Sequence, residues 1–161
     1  MLRSLRKASL VLSALVLTLS SPGGAHSGNS TLEREAFKDA CRLTSTSCEG
    51  LEVPIVLYES LIEDFGFAGT YQPWYGPVVW LDHIYSDALR GPSWGLHAYG
   101  IVVHEMVHYI DLTVNGYSPW TAERACASEG MAYNAANTLM IEQGHPELAS
   151  WNWREYYDHC P

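Results

Sequence analysis

The sequence predicts an α+β fold, with a short antiparallel or mixed sheet placed ahead of two long helices. Three observations carry that expectation. Extended segments broken by Gly and Pro occupy the middle of the chain. From about Trp94 or Gly95 the apolar pattern takes up a helical period. Two stop signals, Asn115-Gly116 and Gly144-His145-Pro146, then close two long helical stretches. The 161 residues leave room for one domain, and no internal repeat or low-complexity tract divides it.

Taken in order, the chain begins with the basic stretch "MLRSLRK", the apolar run "ASLVLSALVLTLS" and the breaker "SPGGAHS". That order predicts a secretory signal peptide over 1–25, with Gly23 and Ala25 as the small residues before the cut. The apolar run is short for a permanent membrane span, so no stable membrane insertion is expected after cleavage. The single domain is then 26–161, opening with a leader to residue 30. Ser30 with Glu33 has the spacing of a capping box and predicts a helix to about Leu43. "LEVPIVLYES" reads as a strand around Val53 to Tyr58, with Pro54 near its start or on an edge. "GTYQPWYGPVVWLDHIY" reads as a hairpin or two extended segments broken at Gly76-Pro77. Val103, Val107, Ile110 and Val114 then repeat as on a half-buried helix. Ser118 with Pro119 opens the second long helix, and the tail from Glu147 reads as a short helix or turn.

Charge and cysteines bound the setting. Eighteen acids face nine basic residues, and removing 1–25 takes away three of the basic ones, moving the net charge from −9 to −12. Such an acidic surface excludes nucleic acid and anionic membrane as expected partners. The four cysteines, Cys41, Cys48, Cys126 and Cys160, all lie in the exported part. An even count in an oxidising compartment predicts two disulfides. Cys41–Cys48, closing a local loop, and Cys126–Cys160, pinning the tail, are the favoured pairs. A four-cysteine zinc cluster is disfavoured, because the close CxxC pairs of such clusters are missing.

The densest chemistry lies in "IVVHEMVHYID", residues 101–111. Positions four apart share a helix face, so His104 and His108 can both turn a ring nitrogen toward one zinc ion. Glu105 projects beside them, placed to act as general base on a water that the metal activates. Met106, Val107, Tyr109 and Ile110 carry no charge, so this helix can be buried with only its catalytic edge exposed.

The HEMVH helix, preceded by extended segments and followed by another helix, resembles the zincin superfamily of metallopeptidases. The likeness spans roughly 50–143 in layout and is specific over 101–111 and the next helix. The metzincin pattern H-E-x-x-H-x-x-G-x-x-H is not met, since Asp111 and Val114 stand at its last two marked places. The gluzincin-like branch takes its third ligand from a glutamate on the following helix, and "TAERACASEGMAY" offers Glu123 and Glu129. Spacing and the small residues Ala132 and Ala136 favour Glu129; Glu123 stays open as a first-turn acid favoured by the helix dipole. That branch often has an aspartate four residues after the ligand glutamate, orienting a histidine; here Tyr133 stands there. Asp111, seven residues from His104, is the substitute candidate.

The resemblance implies a small zincin-like domain holding one Zn2+ on His104, His108 and Glu129. It implies an exported metallopeptidase that hydrolyses peptide bonds of a peptide or protein substrate, acting as a monomer. It further implies that "GTYQPWYGPVVWL" supplies an edge strand for the substrate, with Trp74, Trp80 and Trp94 as pocket walls or core aromatics. A reading from another class is a non-catalytic, metal-stabilised binding module, against which the intact Glu105 speaks. His83, His97, His145 and His159 lack diagnostic spacing, and no tyrosine stands out as an oxyanion donor.

Overall fold

The computed structural model describes residues 31–65, 68–90, 95–116, 121–149 and 160. The expected signal peptide, the leader to residue 30, Trp94, Ser118, Pro119 and most of the tail lie outside the described residues. The helices are α1 (Thr31–Thr44), α2 (Leu61–Phe65), α3 (Ser86–Arg90), α4 (Leu96–Asn115) and α5 (Ala122–Glu142); the strands are β1 (Ile55–Glu59), β2 (Gly69–Tyr71) and β3 (Val78–Asp82). The expected α+β order, a small sheet before two long helices, is what the chain adopts.

The sheet is mixed, in the order β1-β3-β2. β3 runs parallel to β1 and antiparallel to β2. The β2–β3 hairpin turns through a 3-10 segment, Pro73–Tyr75, and then Gly76 at φ 78°, a left-handed conformation that costs glycine least. The first strand sits slightly later than expected, because Pro54 is buried ahead of it and the ladder begins with Ile55 opposite Val78. Successive side chains alternate across the sheet. Val56, Val79 and Leu81 therefore join the core, while Ile55 and Leu57 are left exposed.

The core is built around α4. The sheet lies along one side, and α1 and α5 pack against others. Val102, Val103, Met106, Val107 and Ile110 are consequently buried almost completely. At about 1.5–3 kcal/mol for each large apolar side chain taken from water, this helix contributes more burial than a surface helix does. The helix is buried further than a half-buried pattern implies: only its two ends open to solvent, with His97 exposed in the first turn and Val114 half exposed in the last. Gly116 at φ 77° ends it, as the Asn115-Gly116 stop predicts.

Other local expectations shift for identifiable reasons. α5 starts at Ala122, because Thr121 is extended and its hydroxyl accepts the Arg124 backbone N–H at 3.2 Å. Glu33, expected to serve a capping box, is buried and accepts the Val56 backbone N–H at 2.8 Å, tying α1 to β1. The five-residue helices α2 and α3 are too short for a periodic signal. Asp82 fixes the start of the first, accepting the Ile62 N–H at 2.6 Å, and caps the turn after β3 through the Ile84 N–H at 3.0 Å.

Two disulfides, Cys41–Cys48 and Cys126–Cys160, join the favoured pairs, with Cα separations of 6.0 and 5.6 Å. They point to an oxidising, extracellular-type environment. Among the described residues no helix is long and apolar enough to cross a membrane.

Candidate metal centre

The four-residue spacing on α4 sets the His104 and His108 rings edge to face, with centroids 4.8 Å apart and planes at 77°. Their Nε2 atoms face each other at 3.1 Å. Glu129 on α5 completes a triangle, its Oε2 lying 3.4 Å from His104 Nε2 and 3.5 Å from His108 Nε2. Close approach of the two helices depends on small residues, and Ala132 and Ala136 are fully buried on α5. Tetrahedral ligands at about 2.0–2.1 Å from a zinc-like ion stand about 3.3–3.4 Å from one another, which matches the observed edges. The three residues form a group that could hold a metal ion.

Electrostatics follow from burial and from this crowding. Burial lowers the His104 pKa to about 4, against the opposing pull of Glu129. Burial likewise works against ionised Glu129, yet its hydrogen bonds to both histidines hold its carboxyl well below the usual range. For His108 burial lowers the pKa, but Glu129, Glu105 and Asp111 outweigh it and the net shift is upward. His104 Nδ1 is buried without a hydrogen-bond partner. Two ring nitrogens and a carboxylate oxygen converging on one point are a donor set that a cation satisfies and a lone shared proton serves poorly.

Glu105 is buried beside this group, and burial pushes its carboxyl up to about 8, with the Glu129 charge adding to the rise and His108 opposing it. Its side chain lies against Gly69 of β2. A Cβ added at Gly69 would stand 2.9 Å from both Glu105 Cγ and Oε1. The edge strand thus passes directly over the expected base.

Asp111, the expected substitute for a histidine-orienting acid, is buried and held by Arg124 Nη1 at 2.6 Å and by Asn115 Nδ2 at 2.8 Å. Ser128 on α5 places its Oγ 3.0 Å from His108 Nδ1. Tyr133, at the place where the resemblance implies an aspartate, sets its ring at 77° to His104 with centroids 4.5 Å apart.

The remaining candidates fall elsewhere. Glu123 is exposed in the first turn of α5, its carboxyl lowered by its own backbone N–H and by Thr121. His83, His97 and His145 are exposed, the last paired with Glu147 at 2.9 Å. His159 lies outside the described residues. Trp80 alternates with the core residues Val79 and Leu81, so it points to the other face of the sheet and packs against Tyr75 with centroids 5.1 Å apart. That corrects its expectation as a pocket wall. Trp74 is 66% exposed after the edge strand. Sequence reasoning missed Gly69 and Ser128. The only signal for Ser128 was a polar residue in the small-residue run "ACASEGMA".

Compared with models of known protein families, with curated proteins and with solved structures, the chain matches none.

Proposed function

We propose that this chain is an exported zinc metallopeptidase of zincin-like type, with His104, His108 and Glu129 as metal ligands and Glu105 as general base. The observation that supports this most is the triangle of donors with edges of 3.1, 3.4 and 3.5 Å, flanked on the same helix by a buried carboxyl. When bound, a divalent cation here supplies Lewis-acid polarisation of a carbonyl, acidification of a water, and a field that draws Glu105 back to its ionised form. Glu105 takes the proton of the attacking water and returns it to the leaving amine. Gly69 leaves room for that carboxyl, and β2 offers the backbone of an edge strand to an extended peptide. Zinc is favoured over harder cations by two imidazole ligands in a three-residue set.

A metal that only stabilises the fold is the competing reading, and the burial of His104 and Glu105 is what favours it. A purely structural site has no use for Glu105. Metal content and turnover on a peptide library separate the two. About one zinc per chain is expected in the wild type and in Glu123→Ala, with loss in Glu129→Ala. Glu105→Gln should keep its zinc and lose turnover. Retention of zinc in Glu129→Ala removes the ligand assignment; full activity in Glu105→Gln removes the base.

A further inference from the structure

The outer face of the sheet is apolar, aromatic and open. Side chains alternate across β1 and β3, so the residues turned away from α4 are Ile55, Leu57 and Glu59 on β1 and Trp80 on β3. Leu57 stands opposite Trp80 in the ladder, and Tyr75 from the turn packs on Trp80 with ring centroids 5.1 Å apart. Trp74 extends the cluster, its ring 6.4 Å from that of Tyr75. Ile55, Leu57, Tyr75 and Trp74 are between 38% and 66% exposed. Apolar residues scattered singly over a surface are ordinary, but a contiguous group of large ones marks a binding face. The open edge of β1 is a poor place for an added strand, since Glu33 already accepts the Val56 N–H there at 2.8 Å.

Charge around this face says what fits it. Asp82 is the outward position after Trp80, and its bond to the Ile62 N–H holds α2 at that end of the face. Glu59 at the end of β1, and Glu63 and Asp64 on α2, are exposed there. The three strands, the turn and α2 carry these acids and Asp82 and no basic residue, on a chain whose net charge is −9. Two copies meeting about a two-fold axis would set each acidic rim against itself, which disfavours self-association through this face. Lys and Arg are the side chains that carboxylates and the faces of Trp and Tyr both attract. We propose that the outer face of the sheet is a docking surface for a basic polypeptide segment with apolar side chains. Leu57 and Trp74 are its apolar anchors, and Glu59 and Asp64 receive the Lys or Arg of the partner. The face lies across the sheet from α4, so its occupancy does not depend on a metal at His104, His108 and Glu129.

The test titrates the full chain by calorimetry with an amphipathic peptide of Leu and Lys, and with Leu/Ser and Leu/Glu peptides of the same pattern. The Leu/Lys peptide should bind, and the other two more weakly by roughly 10-fold or more. Leu57→Ser and Trp74→Ser should each weaken its binding by roughly 5- to 30-fold. Ile141→Ser, at a comparably exposed apolar position on α5, should leave it unchanged. Glu59→Lys combined with Asp64→Lys should reverse the preference and admit the Leu/Glu peptide, whereas Glu35→Gln, an exposed acid on α1, should not. All these positions are exposed, so the variants should keep the fold, which thermal unfolding verifies. A wild type that binds none of the peptides, or all three equally, overturns the proposal. Unchanged affinity in Leu57→Ser and Trp74→Ser overturns it as well. A wild-type dimer in sedimentation that Trp74→Ser dissociates gives the face to a second copy and overturns the basic partner.

Discussion

Gly69→Ala is the sharpest perturbation of the site that leaves every ligand untouched. Gly69 has no positive φ, so alanine can adopt its backbone. Restricting the unfolded chain in this way favours folding by about 0.4–1 kcal/mol. Against that, the new methyl would meet Glu105 Cγ and Oε1 at 2.9 Å and Leu81 Cδ2 at 3.1 Å, inside ordinary contact distance. The Oε1 end could swing aside, but Cγ moves only if the whole Glu105 side chain or β2 shifts. Overpacking of this kind costs about 1–3 kcal/mol, so the net effect is a destabilisation of roughly 0.5–2 kcal/mol. Displacing the base by a large fraction of an ångström should lower turnover by roughly 10- to 100-fold. The assay combines thermal unfolding, zinc content and hydrolysis of a peptide library, with Thr70→Ala, on the next position of β2, as control. Unchanged zinc with reduced stability and turnover is expected. A Gly69→Ala chain as stable and as active as the wild type refutes the claim that the bare backbone of β2 holds Glu105.

Two further effects test the electrostatics. Asp82 is buried and caps two elements, so Asp82→Ala should cost about 2–4 kcal/mol in thermal or urea unfolding by stranding the Ile62 and Ile84 amides. Burial raises the Asp82 and Asp111 pKa values, but backbone donors at Asp82, and Arg124 and Asn115 at Asp111, outweigh it and leave both below 3.8. Their contribution is therefore full above about pH 4 and lost as acid protonates them, so unfolding temperature should fall below that pH. Asp82→Asn should flatten that fall, and an unaltered acid profile would count against the role of Asp82. Glu105 has the opposite sign. Its pKa is raised from 4.5 to about 8 in the metal-free fold, so the native chain keeps a proton that the unfolded chain releases as pH rises through that window. Metal-free stability should fall from pH 5 to 8, and Glu105→Gln should remove the slope. Parallel profiles for the two chains would show that Glu105 ionises without penalty.

The sequence made local geometry legible and left contacts between elements out of reach. His104 and His108 could be paired from spacing alone, because a helix converts a four-residue interval into one face. Glu129 and Glu123 could be separated only up to their relative direction; which one meets the histidines depends on how α5 is turned against α4. In the fold α5 is turned so that Glu129 faces both Nε2 atoms, while Glu123 stays in solvent. The burial of α4 was legible in part: the absence of charge at Met106, Val107, Tyr109 and Ile110 allowed it, but which elements cover those positions, the sheet, α1 and α5, follows only from the packing. Gly69 had no sequence signature, since it acts by lacking a side chain beside a residue on another element, and Ser128 had only its polarity in a small-residue run, since its role is a contact with His108 on the neighbouring helix. What sequence supplied was the donor atoms; what the packing of β2 and α5 onto α4 supplies is their orientation. Ligand chemistry is written in residue types, but the directions that bring three ligands to one point belong to the contacts between helices.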